Sequence, residues 1–585
     1  MKLAGREARR FLERPDPDGA GVLLFGGDAM RVALKRQTLV AALIGPEGAA
    51  EMRLARIAAA DLRRDPAALD DAVRGASFFP GPRAAVVEDA GDGLAELMRG
   101  ALADWRAGDA QIVVTAGALK AGSPLRKVFE AARNAVAIGI YDDPPGREEI
   151  AAALAAAGLG SVDRAAMGDL EDLARGLGPA YIRVSGSWAN TTYFDPEGTS
   201  GGVAPEGFGG VLTGDQWKGV GDFARAVDGE VVTSFASGTG VRDAAGVWQP
   251  DQARSLLEFS KANDVPVVAA ELVNEPSIPL GVPAGYDAAA FGRDFTTFKE
   301  MVDDVMPDLR IVGPGAVEDV TPIILKGPAI PAEDMFKAAD GDFDVVSYHF
   351  YPKVSERCGS KEGPEVALTQ EFLSRIETDK DFYEGLRDQY QPDAPMWVTE
   401  IAQAACGGDR WASTYRDVIR YVDSNGRLAT GDGDAMFHNT LAASDYALLD
   451  EDGLVPRPNY WAAVLWHRLM GPAVLDVAHH PAPDLSVYAH CTPGAEDPSV
   501  TYAVVNSSET ETRTVATGSG SAEVYLLTSD SLDSGSISLN GTVLAAADDG
   551  TLPPMEAEKA TGSVEVPPAS VAFVVEPTDV RACSR

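Results

Sequence analysis

The sequence predicts an α/β protein in three parts: a domain built on a parallel sheet, a (β/α)8-type barrel with seven countable strands, and a C-terminal β-sandwich. Three observations lead there. Apolar runs alternate with helix-period segments through roughly the first 145 residues, the pattern of a parallel α/β sheet. Between Tyr181 and Tyr446 the alternation recurs, but each apolar run now ends in polar or glycine-rich residues, as barrel strands do at their functional face. From about residue 484 the helical segments stop and short alternating strands take over.

The first part opens with GVLLF (21–25), a strand closed by Gly26-Gly27 and followed by the amphipathic MRVALKRQTLVAALI. Further strands are expected at 84–88, 111–117 and 135–143. A phosphate-cradling loop would need GxxxxGK[ST] at the first turn, and GGDAMRVALK has neither the second glycine nor the Lys-Ser/Thr pair, so no nucleotide is expected there. A helical connector is expected over 146–177.

The second part, 178–475, offers seven strands: PAYIRVSGSW, EVVTSFASG, VPVVAAELVNEP, LRIVGPGA, FDVVSYHFYP, MWVTEIAQ and AMFHNTLAASDY. The third, 476–585, contains LSVYAH, VTYAVVNSS, AEVYLLTS, SISLNGTVL and VAFVVEP, expected to pack as a sandwich.

Charge separates the first 170 residues from the rest. They carry 22 Lys and Arg against 24 Asp and Glu, whereas the remaining 28 against 64 leave −36 of the total −38 on residues 171–585. So acidic a body argues against a broad nucleic-acid or anionic-membrane surface. No apolar run reaches the ~18 residues of a membrane span, and the start MKLAGREARRFLERPDPD has no apolar signal core, so the chain as written is expected in the cytoplasm. All four cysteines lie in the acidic part, an even number compatible with two disulfides and an exported origin for that part.

Two carboxylates stand out. Asn274-Glu275-Pro276 ends one barrel strand and Thr399-Glu400 ends another, three β/α units on. Period-two alternation is expected to put Glu271, Val273 and Glu275 on one face, and likewise Met396, Val398 and Glu400, so that both terminal groups point into the barrel mouth. Glycosidic hydrolysis uses such a pair, one group protonating the leaving oxygen and one acting in ionised form. Trp188, Trp397 and Trp411 near strand ends read either as sugar platforms or as core. His438, His467, His479, His480 and His490 lack metal-ligand spacing, so no metal and no cofactor is expected.

The stretches YIRVSGSW, ELVNEP, VSYHFYP, WVTE, PRPNYWAAVLWHRLMG, VYAHCTP and SLNGTVL resemble glycoside hydrolase family 79, the heparanase and β-glucuronidase family, over about 178–585. The resemblance implies a retaining hydrolase of glucuronide or uronate-containing glycans. It implies Glu275 as acid/base, Asn274 orienting the sugar 2-hydroxyl, Glu400 as nucleophile, and His349 and Tyr351 beside that nucleophile. Gly407, Gly408 and Tyr446 would meet the uronate carboxylate. It also implies a Cys491–Cys583 staple, and Cys358 with Cys406 follow neighbouring strands and are candidates for a second bridge. Arg183 could hold Glu400 ionised or form a structural pair with Glu271. The excess of negative charge favours small or lightly sulfated glucuronides.

The first part resembles the N-terminal domain of the DNA polymerase III delta subunit, through LLFGGDAMRVALKRQ, ASFFPGPRAAVVEDA, WRAGDAQIVVTAGALKAGSPLRKVFE and IGIYDDPPGREEI. That resemblance implies an ATPase-like fold without a working nucleotide site and a sliding clamp as partner, with Phe78-Phe79 as the clamp-binding wedge; the same pair also reads as a buried helix end. The delta family's further domains are not expected, so clamp-loader assembly is not either. The joint near 170–178 replaces the sequence that supplies the hydrolase family's first barrel strand. The alternatives to a working hydrolase are therefore a clamp-binding module with an inactive passenger, or a non-native fusion.

Overall fold

In a computed structural model the structure describes residues 2–3, 8–45, 53–75, 81–140 and 164–583, except 9, 13, 17–18, 28, 89, 280–281, 323–328, 430–432, 452, 478–479 and 548–549. The chain divides into two compact units, 1–156 and 157–585.

The first unit is a parallel sheet in the order Lys2–Leu3, Ala135–Ile140, Gly21–Gly26, Gln111–Ala116, Ala84–Glu88, Leu54–Ala58. Its central strands are buried on both faces, and separate apolar clusters form around Leu23, Ile112 and Val114 on one side and Leu24, Val113 and Ile138 on the other. This two-sided burial is why those strands read as continuous apolar runs. Leu54–Ala58 was not among the expected strands: it is an edge strand with little burial, and Arg56 interrupts its pattern.

In the second unit, helix Arg164–Arg175 precedes seven parallel strands: β1 (Ala180–Val184), β2 (Gly229–Ser234), β3 (Val267–Glu271), β4 (Arg310–Ala316), β5 (Val345–Phe350), β6 (Met396–Ile401) and β7 (Ala435–His438). They pair in sequence order, so β1 has only β2 beside it and β7 only β6 among the described residues. The barrel is nearly closed rather than closed. A cavity of about 950 Å³ lies along the seam, lined among others by Ala180, Ile182, Met436, His438 and Trp466.

Aromatic packing spans the seam at the barrel floor. The Tyr181 ring of β1 lies 4.7 Å from Trp397 of β6 and 5.8 Å from Phe437 of β7. The Arg310 guanidinium sits 4.7 Å from the Trp397 ring and donates to the Tyr181 hydroxyl at 2.9 Å. Side-chain contact thus ties β1 to the far wall where backbone pairing does not.

After the barrel come β8 (Leu485–Cys491), β9 (Ser499–Asn506), the long β10 (Arg513–Thr528), β11 (Glu558–Val566) and β12 (Ser570–Pro577). All belong to one antiparallel sheet in which β10 pairs with both β11 and β12. The sheet curls so that Val564 and Val566 of β11 share an apolar cluster with Val504, Ala572 and Val574. Its other face packs on α1 (Arg416–Leu428) and α2 (Pro458–Leu469). These two helices share an apolar cluster with the sheet, and Met436 of β7 packs against it. Gly426 of α1 makes the approach possible: a Cβ there would lie 2.1 Å from the Tyr488 ring.

Candidate active site

The site forms where the strand ends converge. Inward alternation along β1 places Tyr181 in the floor and Arg183 above it, while Ile182 packs against the cluster between strands and helices. Arg183 is nearly buried and donates to Glu271 at 2.8 Å, to Glu400 at 3.0 Å and to Asn274 Oδ1 at 2.7 Å. Arg183 thus pairs with Glu271 and Glu400 together. Glu271 also accepts from Thr399 at 2.9 Å and Ser347 at 3.3 Å, so its buried charge has a full set of partners.

The expected alternation fails at both carboxylates, and the failures build the site. Trp397 and Thr399 of β6 face inward, whereas Met396 and Val398 pack outside against the helices. Glu400 nevertheless reaches Arg183, because the β5–β6 register shifts between Tyr348 and His349 and pairs His349 with Glu400. Such a bulge re-aims a side chain at the cost of one ladder bond. On the other wall Val273 packs outside, and Glu275 adopts φ 49°, a strained conformation for a non-glycine residue that turns its carboxylate back to the mouth.

Glu275, His349 and Glu400 each offer a polar atom within 4.8 Å of those of the other two. His349 Nδ1 stands 3.0 Å from Glu275 Oε1 and 3.7 Å from Glu400 Oε2. The Tyr351 hydroxyl donates to Glu400, and Asn439 donates to Glu400 at 3.1 Å, to the Tyr351 oxygen at 2.9 Å and to the Tyr446 oxygen at 3.2 Å. Burial pushes the Glu400 carboxyl up, but the neighbouring His349 and Arg183 charges and the Tyr351 hydrogen bond outweigh it and leave the group below the ordinary carboxylate range. Burial, then the Glu400 charge, push the Tyr351 hydroxyl far up, and the same causes put Tyr446 at about 12, so both remain proton donors.

Gly407 and Gly408 sit beside Tyr446: a Cβ on Gly408 would lie 2.8 Å from its ring, and both glycines have φ near 78°. Their loop is fixed from below by Asp409, which pairs with buried Lys353 at 2.9 Å and accepts from Glu356 N at 2.7 Å. Cys358 and Cys406 are disulfide-bonded with Cα atoms 6.4 Å apart, adding a covalent tether, and Cys491 pairs with Cys583 across 92 positions.

Thus the structure brings together Asn274, Glu275, Arg183, His349, Tyr351, Glu400, Gly407, Gly408 and Tyr446. Phe78 and Phe79 lie outside the described residues, as does His479. Trp397 and Trp411 are core, the first in the barrel floor and the second against Phe372, because alternation and a 3-10 turn point them away from solvent. Two contributors escaped the sequence reading. Asn439 directly follows β7, as Glu400 stands near the end of β6, so the strand-end criterion could have found it. Asn190 exchanges two hydrogen bonds with the backbone of Asn274, at 2.8 and 3.0 Å, from a loop with no local signal. Among the described residues, the one cluster with metal-ligand spacing is Glu275, His349 and Glu400, where Arg183 already supplies positive charge.

No protein-family model matches the chain. It is 27% identical over 393 residues to Heparanase-like protein 1 of Arabidopsis thaliana, a match covering 58% of this chain and 68% of that one. It is 26% identical over 363 residues to Baicalin-beta-D-glucuronidase of Scutellaria baicalensis, covering 58% and 65%. In fold it resembles the crystal structure of a 4-O-alpha-L-rhamnosyl-beta-D-glucuronidase from Fusarium oxysporum, with a TM-score of 0.52 at 15% identity over 70% of this chain and 92% of that one.

Proposed function

We propose that this relative of heparanase-like and β-glucuronidase proteins is a retaining glycoside hydrolase that cleaves β-glucuronides. One observation carries the mechanism: polar atoms of Glu275 and Glu400 approach within 4.8 Å. A spacing of ~5–5.5 Å between carboxyl groups suits a covalent intermediate, whereas inversion needs ~6.5–9.5 Å to admit a water.

In the first step a Glu400 oxygen attacks the anomeric carbon. The glycosidic C–O bond breaks with its electron pair on the leaving oxygen, which takes the proton from Glu275. In the second step Glu275 takes a proton from water as the water oxygen attacks the same carbon, and the bond to Glu400 breaks with its pair returning to the carboxylate. Arg183 keeps Glu400 ionised for the first attack and accepts the charge when it leaves. By holding Asn274 Oδ1, Arg183 leaves the amide NH2 as the donor toward the sugar 2-hydroxyl. The N–H groups of Gly407 and Gly408 and the Tyr446 hydroxyl receive the uronate carboxylate. The −36 carried by residues 171–585 favours small or unsulfated glucuronides over polysulfated chains.

Glu400→Gln is expected to lower kcat by roughly four orders of magnitude or more. Glu275→Gln is expected to leave kcat/KM for 2,4-dinitrophenyl glucuronide nearly unchanged, since that leaving group needs no proton, to lower kcat/KM for phenyl glucuronide steeply, and to slow hydrolysis of the shared intermediate. Equal loss of kcat/KM on both substrates in Glu275→Gln removes that residue from the acid/base role.

For the first unit, the strand order Ala135–Ile140, Gly21–Gly26, Gln111–Ala116, Ala84–Glu88, Leu54–Ala58 favours a second and separate reading, a delta-type module that binds a sliding clamp through Phe78-Phe79. Retention of the full chain on immobilised clamp, lost in Phe78→Ala/Phe79→Ala, is the expected result; no retention removes this reading.

A further inference from the structure

Among the described residues, Trp188 is the tryptophan most exposed to solvent, and it follows the end of β1. Half of its surface is exposed, whereas Trp217, Trp248, Trp397 and Trp461 are fully buried. An indole offers a large flat apolar face on which a ring can stack. Its position is built rather than incidental. The indole packs close to Gly186, where φ is 130° and a Cβ would come within 3.1 Å of Nε1, so a side chain at 186 would strain the backbone and crowd the ring. Two residues beyond Trp188, Asn190 is buried and locked to the Asn274 backbone by the reciprocal hydrogen bonds described above. Ser185, three residues before Trp188, contacts Ser234 at 2.6 Å and Asn274 Oδ1 at 3.5 Å. The loop bearing the indole is therefore fastened on both sides to the strand end that carries Glu275, and Trp188 lines the same cavity as Arg183 and Glu400.

We infer that Trp188 is a stacking platform for the leaving group, and that its ligand is the uncharged aromatic ring of an aryl glucuronide. The side of the site follows from the tether: the group that protonates the leaving oxygen must stand next to it, and the Trp188 loop is bound to that residue's neighbour. The class of ligand follows from charge. The segment 184–209 contains no Lys or Arg, and Asp195, Glu197 and Glu206 make it acidic, which repels a sulfated or carboxylated sugar on this side. An indole face on an acidic segment suits a flat neutral ring.

This inference rests on the glucuronide reading, and the test separates the two. The full chain is titrated calorimetrically with the non-hydrolysable phenyl and methyl 1-thio-β-D-glucuronides, in wild-type, Trp188→Ala and Trp188→Phe forms. The wild type is expected to bind the phenyl compound about tenfold more tightly than the methyl one. Trp188→Ala should erase that difference while leaving methyl affinity unchanged, and Trp188→Phe should keep part of it. Equal wild-type affinity for the two, a preference that survives in Trp188→Ala, or equal weakening of both in that variant overturns the platform and leaves the glucuronide reading standing. Binding of neither compound by the wild type overturns the glucuronide reading and the platform with it.

Discussion

At the residue scale, buried charges in this protein are arranged with opposite consequences. Arg183 and its carboxylates satisfy one another, whereas Asp379 on the outer side of the barrel accepts a hydrogen bond from the Thr321 hydroxyl at 2.6 Å; burial first, and the nearby Asp319 charge, bring it to about 6. A carboxyl raised from an unfolded value near 3.8 holds its proton better in the folded state. Its stabilising effect is complete below pH 3.8 and is lost as pH rises through about 6. Asp379→Asn keeps an acceptor for Thr321 and removes the charging cost, so it is expected to stabilise the protein by ~1–3 kcal/mol at pH 8 and by little at pH 4. Melting curves at the two pH values check this; an equal effect at both places the cost elsewhere. Glu275 and Glu400 were legible because a carboxylate at a barrel strand end has a chemical use. Their exact aim was not, since a left-handed φ at Glu275 and a register shift at His349 depend on neighbours that strict alternation ignores.

At the scale of elements, α1 shows what a polar sequence conceals. RDVIRYVDSNGRL contains five charged residues, yet it is buried on nearly every side. It tolerates this through Arg420 with Asp417 and Arg427 with Asp423, each at 2.6 Å, and through the Tyr488 hydroxyl, which donates to Asp423 at 2.8 Å. Removing one partner of such a pair leaves an uncompensated buried charge, which is why the cost falls on the variant rather than on the pair. The C-terminal sheet has a different fastening. Cys491 and Cys583 close a loop 92 positions long, and the chain-entropy model puts that constraint at about 4–5 kcal/mol. Cys491→Ser/Cys583→Ser is expected to lower the denaturant-unfolding free energy by up to that amount, with the Cys358–Cys406 bond intact. A change under ~1 kcal/mol would mean that packing on α1 and α2 alone holds the sheet.

At the scale of the whole molecule, the second unit carries a parallel barrel with one open seam. Seven strands were countable in the sequence because each has an apolar run and a polar end; that their floor would be tied across the seam by Tyr181, Trp397 and Phe437 was not, since ring contacts between distant strands leave no periodic trace. Among the described residues, the backbone groups of β1 and β7 that face the seam lack strand partners, so their amides are expected to exchange with deuterium faster than those of β3 to β5, by at least tenfold. Uniform protection around the barrel would show that another segment closes it. The central claim, double displacement by Glu400 and Glu275, is tested most directly by proton NMR of the first glucuronic acid released from an aryl β-glucuronide, recorded before mutarotation. The β-anomer appearing first is the expected result; the α-anomer first, or no release at all, would contradict the account.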